Sequence, residues 1–459
     1  MRDLGARYEI WRGKAAQHPP DHTCEGALLE IPKHWSEHQL QAHWFAGHFG
    51  RDFLIVQGQP VRIVQFGTWN HQAGPDFAQA AVSFENRPPI RGCIELDTED
   101  RDWERHGHAT NPAYETVVLH LFLRRGSQEF FTRTHLHRAV PQVLLDLRQL
   151  PQTPPNPIPE AKPGRCLGVL KQLPETRVRE ILLQAASYRL RRKAAALATW
   201  SEVHGPDEAL YGALAATLGY RNNQLPFTLL AQRLPIRQLL QERSDAEALL
   251  FGLGGFLQTP DLSKFDAPTR LYLRSLWARW WPRRAELERL QLPSGLWNHA
   301  GQRPLNHPQR RLAALSQMAR HWGKIRALRG GCDLKAIRAV FRGLHSRYWQ
   351  HHFTLASSAS PRPLALIGSD RLADMTANVF FPFALSTAPE LWTKLLEMPC
   401  PAPSRRAQIA ALRLFGTTPP RWLRGLGYQQ GLLQISEDFC MQDASDCLRC
   451  RFPEQVARW

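Results

Sequence analysis

Three carboxylates pose the chemical question. The stretch WNHQAGPDFAQAAVSFENRPPIRGCIELD, from Trp69 to Asp97, sets Asp76 before one strand-like run and Glu95 and Asp97 at the end of a second. On a strand, residues i and i+2 point to the same face. Glu95 and Asp97 are therefore expected side by side, with Leu96 turned away. If the two runs pair as a hairpin, Asp76 approaches the same edge. Carboxylates gathered without a cation repel. Hard divalent cations such as Mg²⁺ or Mn²⁺ accept such oxygen ligands together with water and substrate phosphate, and can activate water against a phosphodiester. The competing expectation is a solvated hairpin rim.

Further polar groups follow in EDRDWERHGHATNPAY. His106 and His108 have the chemistry of an acid, a base or a phosphate ligand. His120, inside the apolar VVLHLF, reads as a satisfied, half-buried histidine. At the far end, FCMQDASDCLRCRFPE spaces three thiols as Cys440-x6-Cys447-x2-Cys450. Soft thiolates at this density suit Zn²⁺ or an iron–sulfur cluster. A fourth ligand must come from elsewhere, such as Cys400 or a histidine. The alternative is three unligated, partly buried thiols.

The elements that must position these groups change period along the chain. EHQLQAHWFAGHF (Glu37–Phe49) has helical spacing at Leu40, Trp44, Phe45 and Phe49. FLIVQGQPVRIVQFG alternates around Gly58-Gln59-Pro60 and predicts two short strands. FAQAAVSFE and PIRGCIELD are strand-like and joined by the turn signal NRPP. Tyr114–Arg124 predicts a buried strand, and HRAVPQVLLDLRQL closes the region. Six prolines between Leu150 and Gly164 exclude a helix or a central strand and predict a linker. Beyond residue 174 nearly every segment has a helical period, with Asp207 read as an N-cap after Pro206. The fold class is α+β, with a mixed α/β domain over 25–150, a Pro-rich linker over 151–164 and a mostly helical region over 165–454.

Composition bounds the partners. The 459 residues carry 58 Lys+Arg against 41 Asp+Glu, a formal net charge of +17, and 49 of the basic residues are Arg. Such an excess attracts polyanions, nucleic acid first. Arg189, Arg191, Arg192 and Lys193 crowd one helical stretch. Arg274, Arg279, Arg283 and Arg284 interleave with Trp277, Trp280 and Trp281. Stacking on bases is one use for such tryptophans; core packing is the commoner one. Arg221-Asn222-Asn223 and RPLNHPQRR (Arg303–Arg311) read as polar loop or helix-start segments facing a cleft. No apolar run approaches the ~18–20 residues of a membrane span, and the start MRDLGARYEIWRGK lacks a signal-peptide core. A cytoplasmic protein without a disulfide framework is expected.

Several segments together carry a family resemblance: FGTWNHQAGPDFAQAAV, GCIELDTEDRDWERHGHATNPAYETVVLHLF, ATLGYRNNQLPFTLLAQRLP, EALLFGLGGFL, RPLNHPQRRLAAL and GLLQISEDFCMQDASDCLRCRFPE. They resemble the uncharacterised bacterial family named domain of unknown function 2851, from about residue 25 to 454, which brings no activity. Over about 60–125 the order of Asp, hairpin and Glu also resembles the PD-(D/E)xK nuclease superfamily. That resemblance implies a nuclease-like domain with Asp76 and Glu95 as metal ligands; the residues' own chemistry adds Asp97 and His106 to the candidate catalytic set. The superfamily's usual Lys falls on Asp97, and no Lys lies between Lys33 and Lys162. Arg91, Arg101, Arg105 or His106 would then supply the positive charge, with Arg91, Arg105, His108, Arg189 and Arg192 toward substrate. A metal-dependent nuclease is expected; a nucleic-acid-binding or scaffolding protein with a degenerate nuclease fold is the alternative. The cysteine spacing resembles the cluster loop of base-excision glycosylases of the endonuclease type, whose fourth Cys is matched here by Val456.

Overall fold

The alternating runs of the N-terminal third form one seven-stranded sheet. The computed structural model describes residues 8, 35–70, 74–150, 161–220, 222–258, 261–299, 304–331, 333–385, 391–392, 398–400 and 403–459. Residues 151–160 of the Pro-rich stretch, Arg221, Arg303, Cys24 and Cys332 lie outside the described residues.

Helix α1 (Glu37–Ala46) comes first. The Ser36 hydroxyl accepts from the Gln39 N–H at 3.3 Å, and Gln39 Oε1 accepts from the Ser36 N–H at 2.9 Å. This capping box fixes the helix start. Gly47, at φ +82°, ends it before Phe49. The strands are β1 (Asp52–Leu54), β2 (Pro60–Gln65), β3 (Thr68–Trp69), β4 (Phe77–Phe84), β5 (Ile90–Leu96), β6 (Val117–Phe122) and β7 (Gln142–Leu144). Their order is β1-β2-β4-β5-β6-β7, with β3 paired to β4. The first four along this path are antiparallel; β6 runs parallel to β5, and β7 to β6. The β4–β5 hairpin expected from sequence is present, and Glu85 and Asn86 make its turn at positive φ. Gly67 is required between β2 and β3: at φ +85°, any Cβ would lie 2.4 Å from the Ala78 carbonyl oxygen.

The sheet's two faces separate core from chemistry. Ile94 and Leu96 of β5, with Leu119 and Leu121 of β6, join Leu40, Trp44 and Phe45 of α1 in one apolar core. Cys93, of opposite parity, packs with Trp103, Tyr114, Val117 and Val140. Glu95 shares that parity. The crossover from β5 to β6 contains α2 (Asp102–Arg105) and the short turns that carry His108 and Tyr114.

The remaining helices are α3 (Cys166–Gln172), α4 (Glu175–His204), α5 (Pro206–Leu218), α6 (Gln224–Arg233), α7 (Ile236–Gln241), α8 (Ala246–Leu253), α9 (Ala267–Leu287), α10 (Pro308–Arg320), α11 (Trp322–Ala327), α12 (Leu334–Arg342), α13 (Ser369–Met375), α14 (Phe381–Leu385), α15 (Arg405–Phe415), α16 (Leu426–Ile435) and α17 (Phe452–Ala457). The chain is an α+β protein. Every residue of α8 is buried, as an apolar-all-round helix must be. Pro206 takes the first helical position of α5, so Asp207 lies in the first turn rather than at the N-cap. Its carboxylate instead accepts from Trp322 Nε1 and Arg329 Nη1. No helix among the described residues is long and apolar enough to cross a membrane.

By packing, the chain divides into two units. One is helical and comprises 186–403 and 424–429. The other combines the sheet and the chain up to Ala185 with Ser404–Leu423 and Gln430–Trp459. This division cuts across the sequence-based segment 165–454. Its first helix, α3, packs on α15 and α17 in the sheet's unit.

Candidate functional site

Period-two geometry brings the expected acids together at the open end of the β4–β5 hairpin. The Asp76 N–H donates to Glu95 Oε2 at 2.9 Å, and Asp76 Oδ2 accepts from the Leu96 N–H at 3.1 Å. Asp97 follows β5 and stays in the ladder, its N–H donating to the Leu121 carbonyl at 2.9 Å. Glu95 is 5% exposed and Asp97 1%. The solvated-rim expectation therefore fails for this pair: the crossover between β5 and β6 folds over them.

Three histidines converge on the acids. His106 Nδ1 lies 3.1 Å from Asp97 Oδ1, and His120 Nε2 lies 3.2 Å from Asp97 Oδ2. His120 is fully buried, and its Nδ1 pairs with Thr132 Oγ1 at 2.7 Å. It is satisfied, as expected, but its partner is a site carboxylate. His108 Nε2 stands 3.2 Å from Glu95 Oε1 and 3.9 Å from Asp97 Oδ1 without making a hydrogen bond. Its ring stacks on Tyr114 at 4.0 Å.

Two participants were not read from the sequence. Gln41 Nε2 donates to Asp76 Oδ1 at 2.8 Å and to Glu37 Oε1 at 3.2 Å, while Gln41 Oε1 accepts from Trp69 Nε1 at 3.3 Å. Glu37 and Gln41 are i, i+4 on α1 and so share a face. That spacing is the only sequence signal they offered; their meeting with Asp76 depends on where α1 packs.

Electrostatics follow from burial. Desolvation, then the Glu95 charge, pushes the Asp76 carboxyl up to about 9. Desolvation, then Asp97, holds Glu95 well above the usual carboxylate range. Glu37 is raised by burial and Asp97. Burial lowers His108, with Asp97 and Glu37 opposing. Among the described residues, no Lys or Arg lies within ion-pair distance of Glu37, Asp76, Glu95 or Asp97. One donor atom each from Asp97, His106 and His108 falls within 4.8 Å of the others. A divalent cation would favour the ionised form of these buried carboxyls and give the orphaned His108 Nε2 a partner. Mixed imidazole and carboxylate donors favour Mn²⁺, Fe²⁺ or Zn²⁺ over Mg²⁺.

The basic candidates lie elsewhere. Arg91 Nη2 donates to the Asp443 carbonyl, away from the acids. Arg105 is tied to Asp102 and largely exposed. Arg189 and Arg192 lie on α4 beyond Ala185, in the helical unit. Arg310 and Arg311 are bound internally: Arg310 Nη2 donates to the carbonyls of Leu364 and Ala365 at 2.9 and 2.8 Å, and Arg311 Nη1 to that of Leu366 at 2.7 Å. Of the three tryptophans of α9, Trp280 is buried and Trp281 is exposed. Cys440, Cys447 and Cys450 line one hollow with Cys166, whereas Cys400, one of the candidates for a fourth ligand beside a histidine, belongs to the helical unit.

A family model described as "Protein of unknown function (DUF2851)" matches residues 37–395. No curated protein and no solved structure matches the chain.

Proposed function

We propose that this chain, which belongs to the family of domain of unknown function 2851, is a divalent-metal-dependent hydrolase of nucleic-acid phosphodiester bonds. One observation carries the reading: Glu95 and Asp97 are buried together beside Asp76 and an unpartnered His108 nitrogen, with no Lys or Arg as counter-ion. Buried charges are paired or coordinate metals. Asp97 and His108 would hold the cation, with Glu95 beside them and His106 within reach as a third donor. When bound, such an ion supplies a Lewis acid and a water that ionises near neutral pH.

The chain's own groups fit the rest of the reaction. Asp97 holds His106 through Nδ1, fixing the ring and its tautomer while the side chain remains 39% exposed. That leaves His106 placed to take or give a proton at the solvent side. Gln41 orients Asp76 and Glu37 together. The basic excess of the whole chain favours a polyanionic substrate.

The test is cleavage of labelled single- and double-stranded DNA and RNA by the purified chain with Mn²⁺, Mg²⁺ or neither. Cutting with Mn²⁺ is expected, and Glu95→Gln and Asp76→Asn should abolish it while keeping the wild-type circular dichroism. Absence of cutting under every condition would overturn the catalytic reading. A second reading draws on Asp97, which stands where the nuclease superfamily has Lys: a chain that binds polynucleotide without cutting. It requires salt-sensitive binding that survives Glu95→Gln.

A further inference from the structure

Four cysteines from two distant stretches of sequence line one hollow. Cys440, Cys447 and Cys450 come from the C-terminal segment, and Cys166 opens α3. The hollow is flanked by Phe439 and Phe452. All four are free thiols. Each of the C-terminal three acts electrostatically on Cys166. A Cβ on Gly164 would meet the Cys166 sulfur at 3.1 Å and the Cys447 sulfur at 3.4 Å, so two of the sulfurs flank a single glycine.

Arg413 separates this arrangement from idle buried thiols. It is 5% exposed, and its Nη1 points at Cys447 Sγ, 3.7 Å away. Its own carbonyl accepts from the Gly164 N–H at 2.7 Å and from Cys166 Sγ at 3.7 Å. Asp443, which lines the same hollow, and Asp446 act on it electrostatically, but neither lies within ion-pair distance. Metal-bound thiolates would place an anion in direct contact with this buried guanidinium; neutral thiols would not.

The sulfurs do not converge as a zinc site requires. Zinc, about 2.3 Å from each sulfur, would draw four thiolates to about 3.8 Å from one another. Among the described residues, no three cysteine sulfurs fall within 4.8 Å of one another. A cubane iron–sulfur cluster spreads its thiolates, because each binds a different iron. We propose that Cys166, Cys440, Cys447 and Cys450 together ligate a four-iron cluster, with Arg413 balancing its negative charge. The cluster then clamps the C-terminal segment onto α3, joining parts of the sheet's unit that the helical unit separates in sequence.

The full chain, purified without oxygen, is assayed for iron, acid-labile sulfide and the broad visible absorption of iron–thiolate bonds. About four irons and four sulfides per chain are expected. Cys166→Ser should lose at least half the iron, while Cys93→Ser, on β5 and outside the hollow, keeps it. Zinc in place of iron, metal-free protein, or full iron in folded Cys166→Ser would each overturn the assignment. The wild-type iron and sulfide contents decide the cluster even if Cys166→Ser fails to fold.

Discussion

His106 and His108 flank one carboxylate but are fitted for different tasks. His106 is held at Nδ1 and open to solvent; His108 is buried between Glu95 and the Tyr114 ring. His106→Asn is therefore expected to lower turnover by about 10²–10⁴-fold, to remove one limb of the pH–rate profile, and to leave Mn²⁺ binding by calorimetry within a few-fold of wild type. Equal losses in metal affinity and turnover would instead make His106 a ligand. At this scale the sequence was most legible where residues are local. Asp76, Glu95 and Asp97 follow from a turn and an alternation. Glu37 was invisible because its carboxylate reaches the site only through the docking of α1. Cys166 was invisible because nothing in its surroundings resembles the C-terminal motif.

At the level of elements, α1 does more than cover the sheet. It carries Glu37 and Gln41 on one side and buries His43 on another. His43 Nδ1 contacts His48 Nδ1 at 2.9 Å, and its Nε2 has no hydrogen-bond partner. Burial first, then His48, pushes the His43 imidazolium down to about 4. An unfolded chain protonates this ring near 6.5. Between about 6.5 and 4 the unfolded state thus binds more protons than the fold, and stability falls as pH falls. The stabilising contribution is fully present above 6.5. The raised carboxyls Asp76 and Glu95 act in the opposite sense, so the comparison must be differential. The wild-type melting temperature should fall more steeply than that of His43→Gln as pH is lowered from 7 to 4, read by circular dichroism. Parallel profiles would remove His43 from the account. The helix and the hairpin were legible because capping, period and turn residues agree with one another. The identity of the group buried beneath α1 was not, because a histidine at an apolar position has the same spacing whether it is charged or neutral.

Across the whole molecule, chain order and packing diverge. A proline-rich stretch is a natural place to end a domain, and the sequence offers one at 151–164. The packing does not stop there. Arg51 pairs with Asp446 at 2.9 Å, Arg91 donates to the Asp443 carbonyl, and Arg405 donates to the Trp69 carbonyl at 3.4 Å. Lys162 lies 4.4 Å from the Phe66 ring. These partners span almost the full chain, and such long-range closure leaves no local period to read. Part of the arginine excess is turned inward in a related way, since Arg310, Arg311 and Arg413 are buried on internal partners. It follows that residues 1–164 alone keep the sheet's apolar core, whose members lie between Leu40 and Leu150, but lose the Arg51–Asp446, Arg91–Asp443 and Trp69–Arg405 contacts. That fragment is expected to unfold at a lower urea concentration than a chain that keeps those contacts. A chain joining 35–185 to 404–459 through a long Gly/Ser linker should give a single transition, because it restores the packing unit around the sheet. Equal urea midpoints for the two chains would show that the C-terminal contacts add nothing to the sheet's stability.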